Sequence, residues 1–242
     1  MDTELLLVVG GVALGFFVKG VTGMGGPMLA TPLIASVSSV EHAVVVVSFA
    51  NLLSNLWLIW GNRDARHGLR WLLVPMLSAG VVGAVIGTWL LTELDDRVLA
   101  WVLAAVITSY IIRYLTRPDF KFESSTARKL TVPVGLAGGV LTGGTGTGGP
   151  LFATFMHGLR LERSAFAFVS GMIFGILSPV QVGVLTSLGA FTPERFRLAL
   201  FAIVPTVIVM PLGMAVARRI RQRTFEYAVL VLLAYSAVNL VV

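Results

Sequence analysis

Two glycine-rich stretches hold the groups best placed to do chemistry. Gly20–Leu33 reads Gly-Val-Thr-Gly-Met-Gly-Gly-Pro-Met-Leu-Ala-Thr-Pro-Leu, and Gly143–Phe155 reads Gly-Gly-Thr-Gly-Thr-Gly-Gly-Pro-Leu-Phe-Ala-Thr-Phe. With Gly25-Gly26-Pro27 set on Gly148-Gly149-Pro150, the residues Gly20, Thr22, Gly23, Ala30 and Thr31 meet Gly143, Thr145, Gly146, Ala153 and Thr154 without a gap. Glycine permits positive φ and close approach by a ligand. Proline suits the first turn of a helix, so short helices are predicted to start at Pro27 and Pro150. Their first N–H groups lack intrahelical acceptors and carry partial positive charge. Successive glycine N–H groups can add an anion nest. Two such starts facing one another form a small-anion site that needs no charged side chain.

The residues expected to bind are therefore Thr22, Gly23, Met24, Gly25 and Gly26 in the first break, and Thr145, Gly146, Thr147, Gly148 and Gly149 in the second. The threonines contribute hydroxyl donors. Met24 stands where the second copy has Thr147, so the two tips differ chemically. Lys19 lies beside the first break in apolar sequence, and its counterpart Thr142 is uncharged. It is either an anion contact or a cation that snorkels to an interface. Gln181, near Pro179, either bridges helices, as Asn51 and Asn55 are expected to do, or lines a cavity.

Other chemistry finds little footing. No Asp or Glu lies mid-span, which argues against carboxylate proton relays and carboxylate Na⁺ sites. Cysteine is absent, and neither Gly-x-Ser-x-Gly nor His-Glu-x-x-His occurs. Gly144–Gly149 lacks the Lys-Ser/Thr ending of a phosphate loop. No catalytic residue, metal or cofactor is expected. An interior-negative potential favours anion exit by ~2.3 kcal/mol per charge per 100 mV.

These breaks are set in a membrane protein. Of 242 residues 56% are hydrophobic and only 12% charged, about half the charge of a soluble domain. Apolar runs cover Leu5–Val18, Ala43–Trp60, Trp71–Leu91, Val98–Ile112, Ala165–Leu188, Leu198–Ala217 and Tyr227–Val242. Several reach the ~20 residues that span a hydrocarbon core. The runs are continuously apolar rather than alternating, which excludes a β-barrel. The fold class expected is an all-α multi-pass integral membrane protein. Asp2 and Glu4 precede the first run, unlike a signal peptide. The net charge of +6 does not imply nucleic-acid binding in such a protein.

Each half reads as a broken element followed by three spans: repeat one over about 1–116, a polar linker over about 117–130, and repeat two over about 131–242. If both broken elements are hairpins and the N-terminus is outside, then 61–70, 113–130, 157–163 and 218–224 are cytoplasmic. Those stretches hold most of the Lys and Arg, including the Arg218–Arg223 run. A single crossing at the second break would put that run outside, against the positive-inside rule. Hairpins are therefore preferred. The halves are then inverted-topology repeats and both termini lie outside. Gly11/Gly15, Gly83/Gly87, Gly135/Gly139 and Gly171/Gly175 read as helix-packing pairs. Trp57, Trp60, Trp71, Trp89 and Trp101 read as interface anchors. His42 and His157, near the hairpin ends, read as solvated residues, with a gate or proton role as the alternative.

The paired Gly-x-Thr-Gly-x-Gly-Gly-Pro motifs at Gly20–Pro27 and Gly143–Pro150, with the charged central linker, resemble the TauE/SafE sulfite exporter family, also called the toluene-sulfonate uptake permeases. The resemblance implies a secondary transporter of the bacterial inner membrane acting on sulfite, sulfonates or related sulfur anions. Its motif falls on Gly23, Gly25, Gly26, Pro27, Gly146, Gly148, Gly149 and Pro150. The expected partners are thus a sulfur oxyanion and the lipid bilayer, with a homodimer permitted. An anion channel using the same site, and a non-transporting membrane scaffold or intramembrane enzyme, are the alternatives.

Overall fold

The computed structural model describes residues 3–116 and 121–217. The expected last span, the Arg218–Arg223 run and the C-terminus lie outside the described residues. Nine α-helices and no strand occur among those described: α1 (Thr3–Thr22), α2 (Gly26–Ala35), α3 (Val40–Gly61), α4 (Arg70–Glu93), α5 (Asp96–Thr116), α6 (Ser124–Thr145), α7 (Gly149–Gly158), α8 (Arg163–Ser187) and α9 (Pro193–Ala217). A 3₁₀ turn at Arg63–Arg66 joins α3 to α4. The all-α multi-pass class expected from the apolar runs is what is seen. By length and composition α3, α4, α8 and α9 can each cross a membrane. Leu200, Phe201, Val204, Ile208 and Leu212 of α9 and Val74, Val82, Ile86 and Trp89 of α4 point outward. Such an apolar exterior is stable against lipid rather than water.

Both broken elements are hairpins. Gly11 of α1 packs against Leu33 and Ile34, and Gly15 against Gly26 and Ala30, so α1 and α2 run antiparallel. In the second, Gly138 of α6 faces the Phe152 ring of α7. With a rise of ~1.5 Å per residue, the ten-residue α2 and α7 reach about 15 Å, half a hydrocarbon core.

The breaks are shorter than the glycine content suggests. α1 continues through Gly20 to Thr22, and α6 through Thr142 and Gly143 to Thr145. Two causes act together. Thr22 and Thr145 donate to the carbonyls of Val18 and Leu141, four residues back, and so tie down the last turns. Gly20 and Gly143 are surfaces for close helix packing. A Cβ on Gly20 would lie 2.5 Å from Met210 O of α9, and one on Gly143 2.4 Å from Ala84 O of α4. The central linker is shorter too, because α6 already begins at Ser124.

The four glycine pairs pack as expected. Gly83 and Gly87 meet Leu136 O and Val140 O of α6, while Gly135 and Gly139 meet Met76 O and Gly80 O of α4. Gly171 and Gly175 lie against Leu58, Ile59 and Asn55 of α3. Between α3 and α8 the contacts Asn51–Ser178, Asn55–Gly175 and Leu58–Gly171 run in opposite order, so these helices are antiparallel.

The helix ends fall into two groups. At one, Val40 N donates to Asp96 Oδ1 (2.7 Å) and Arg195 pairs with Glu41. At the other, Arg163 donates to Ala217 O (2.8 Å) and Val21 O (2.9 Å), and Arg128 covers the Trp71 ring. Trp60, Trp89 and Trp101 are exposed near helix ends. His157 is exposed against Phe166, whereas His42 is half-buried at the start of α3 rather than solvated.

Candidate functional site

The two breaks meet at one small cavity. Gly25, Pro27 and Met28 line it from the first hairpin, and Gly146, Thr147 and Gly149 from the second. Lys19 of α1, Asn51 of α3 and Phe174 of α8 complete the wall. Its volume is about 10 Å³, room for one water-sized molecule.

Each break begins with a left-handed glycine, Gly23 (φ 81°) and Gly146 (φ 68°). The two are placed reciprocally. A Cβ on Gly23 would touch Ala167 of α8 at 3.2 Å, and one on Gly146 would touch Val44 of α3 at 3.3 Å. The hairpin tips also touch, since Met24 Cγ and Sδ lie 3.6 Å from the position a Gly149 Cβ would take.

The helix starts differ in detail. Gly25 caps α2 with φ 102° and has nothing within 4 Å of its missing Cβ. Gly148 caps α7 with an ordinary φ of −66°, but its Cβ would lie 2.1 Å from Thr142 Oγ1 and 2.4 Å from Gly138 O. Glycine is thus required at 25 by angle and at 148 by space. No side chain caps either helix, and Pro27 and Pro150 occupy the first turns. The N–H groups of Gly26 and Met28, and of Gly149 and Leu151, have no intrahelical acceptor available. Gly25→Ala is expected to cost about 1–3 kcal/mol through φ alone, leaving a folded protein with a distorted start to α2. Gly148→Val is expected to wreck the hairpin. Thermal unfolding and size-exclusion profiles in detergent separate the two outcomes.

Lys19 is the charge of the site. Only 1% of it is exposed. Its Nζ contacts Asn51 Oδ1 at 2.8 Å, Ser54 Oγ at 2.8 Å and Asn55 Oδ1 at 2.6 Å. Ser54 spends its one proton on Asn51 O. The amide nitrogens of Asn51 and Asn55 are turned to Ser178 Oγ and Asn51 O. All three atoms facing Nζ are therefore acceptors, and only an ammonium supplies three N–H donors. The Phe16 and Phe174 rings lie 5.6 Å and 5.9 Å from the nitrogen, within cation–π range. The cation is held by neutral oxygens and ring faces, which stabilise it less than an opposite charge would.

The remaining predicted residues surround the cavity. Gly26 abuts the Phe16 ring and the Lys19 stem. Thr22 donates to the carbonyl of Val18 or Met24 and accepts from Met24 N, which pins the turn. Thr145 donates to Leu141 O, so the 2.8 Å Thr145–Thr147 contact uses the Thr147 proton. Gln181 donates to Thr142 O (2.8 Å) and Gly143 O (3.1 Å), holding the end of α6 rather than presenting those donors to the cavity. Asn51, Ser54 and Asn55 went unrecognised as the cradle of Lys19, although their spacing puts them together on α3. Phe174, the repeat counterpart of Asn51, carried no signal. Among the described residues no three His, Asp or Glu side chains gather as metal ligands would.

The sulfite exporter TauE/SafE family model matches residues 7–240, nearly the whole chain, and the protein belongs to that family. No curated protein and no solved structure matches it.

Proposed function

We propose that this TauE/SafE family member is a secondary transporter, not an enzyme, that exports a small sulfur-containing anion, sulfite first among them, by alternating access. The observation that carries this reading is the convergence of two uncapped helix starts and the Lys19 ammonium on one cavity. Backbone N–H groups of Gly26, Met28, Gly149 and Leu151 bind the anion's oxygens, and Lys19 supplies the opposite charge. A bound anion gives the buried ammonium the counter-charge that the asparagines only approximate.

The halves act as inverted repeats in this reading. In support, the corresponding helices α3 and α8 are antiparallel, and each break rests on the other half at matching positions, Gly23 on Ala167 and Gly146 on Val44. The same exchange relates the packing of Gly20 on α9 to that of Gly143 on α4. Arg63, Arg66, Arg70, Arg128 and Arg163 face the cytoplasm of a bacterial inner membrane by the positive-inside rule, with the N-terminus outside. A cavity with room for one water-sized molecule does not admit sulfite, so in this reading the conformer is closed and its walls part for entry. A closed site between the two hairpins favours a carrier over a channel.

Proteoliposomes with clamped potential test the proposal. Saturable sulfite efflux, with counterflow by unlabelled sulfite, is expected. Absence of flux for sulfite, thiosulfate, sulfoacetate and taurine alike refutes it.

A further inference from the structure

The hydroxyls of the glycine motifs are committed to the protein. Thr22 and Thr145 donate to main-chain carbonyls, and Thr147 donates to Thr145. Two other hydroxyls near the site are not committed. Thr31 Oγ1 and Ser170 Oγ are buried, both residues are 0% exposed, and neither oxygen has a hydrogen-bond partner among the described residues.

The two are not repeat counterparts, since the alignment of the halves sets Thr31 on Thr154 and Ser170 on Val47. Thr31, on α2 of the first half, puts its hydroxyl 3.3 Å from where a Gly146 Cβ would be, directly against the second break. Ser170, on α8 of the second half, shares a helix face with Ala167, one turn earlier, and Phe174, one turn later. Ala167 touches Gly23 of the first break, and Phe174 lines the cavity. The second break thus has a spare hydroxyl of the first half against it, and Ser170 of the second half lies between the residue that touches the first break and one that lines the cavity. Leaving a buried hydroxyl unsatisfied costs stability, and valine or alanine would avoid the cost.

We propose that Thr31 and Ser170 are the side-chain ligands of the transported oxyanion, Thr31 at the second break and Ser170 at the first. This rests on the anion-transport reading above. In the closed conformer they stand ready, and when the cavity widens they donate to oxygens of the incoming anion. Hydroxyl donors suit a substrate that presents several acceptor oxygens, such as sulfite or a sulfonate head. Thr31 and Ser170 together with the two helix starts then surround it from both halves.

The test is sulfite counterflow and thermal unfolding of full-length wild type, Thr31→Val, Thr31→Ser and Ser170→Ala in matched proteoliposomes and detergent. Thr31→Val and Ser170→Ala are each expected to raise KM about 10-fold or more, the loss of one hydrogen bond to a charged group. Their melting temperatures should stay level or rise, because an unsatisfied group has been removed. Thr31→Ser should keep wild-type KM. An unchanged KM in both deletions overturns the proposal, even with a higher melting temperature. If Thr31→Val does not fold, Ser170→Ala, which removes a single oxygen, decides alone. Loss of sulfite flux in Lys19→Met with normal KM in the hydroxyl variants would sink this inference and spare the parent reading. Wild type without saturable sulfite flux would sink both.

Discussion

Lys19→Met should lose at least about 30-fold in sulfite transport while remaining folded. Removing one partner of a buried charge pair costs roughly 2–5 kcal/mol, and each 1.4 kcal/mol is about tenfold in affinity. Folding should survive for a separate reason. Methionine keeps the apolar stem against Phe16 and the main chain of Gly26, and it removes the burden of an ammonium held only by neutral oxygens. The amide nitrogens of Asn51 and Asn55 keep their acceptors, Ser178 Oγ and Asn51 O, while the two Oδ1 atoms lose their donor and offset part of that gain. Lys19→Arg is not a conservative substitute. The planar guanidinium does not match three oxygens converging on one nitrogen, and it is larger than the space available. Transport assays paired with melting curves distinguish a lost charge from a lost fold. A folded Lys19→Met protein with wild-type flux removes Lys19 from the site.

The second large effect lies far from the chemistry. Gly87→Ala and Gly83→Ala are expected to prevent stable folding. Each new methyl would fall on backbone of α6, 2.1 Å from Val140 O for Gly87 and 2.2 Å from Leu136 O for Gly83. Ordinary overpacking costs about 1–3 kcal/mol because side chains yield. Here neither helix can yield without separating from the other, so the penalty should exceed that range. The change would also displace α6, which carries the second break at its end. Gly183→Ala is the control, with nothing within 4 Å of its added carbon. It should be neutral or stabilising, since alanine is the better helix former by about 1 kcal/mol. Monodispersity and melting temperature in detergent report both.

Much of this was legible in the sequence because the relevant signals are local or repeated. Continuous apolar runs set the helices, Pro27 and Pro150 marked the short helix starts, and the matched Gly-Gly-Pro stretches pointed to each other. The glycine pairs gave away the close helix contacts. The extent of each break was misjudged because glycine signals two things, a turn at Gly23 and Gly146 but a packing surface at Gly20 and Gly143. Sequence alone does not separate them, since the difference lies in the facing helices α9 and α4. The threonine hydroxyls were expected to be offered to an anion, yet such side chains commonly bond the carbonyl four residues back in a helix, as Thr22 and Thr145 do. Asn51 and Asn55 looked like helix-bridging groups, and Ser54 carried no signal. Their role as the cradle of Lys19 depends on α1 packing beside α3, a contact between residues more than thirty positions apart.

The measurement that bears most directly on the anion site is anomalous diffraction from crystals soaked in selenite, a heavier pyramidal oxyanion of the same class as sulfite. A selenium peak should lie between the starts of α2 and α7, within reach of Lys19 Nζ and the N–H groups of Gly26 and Gly149, and it should vanish when sulfite is added in excess. Saturating selenite with no peak there, or with a peak at another location that sulfite displaces, contradicts the assignment.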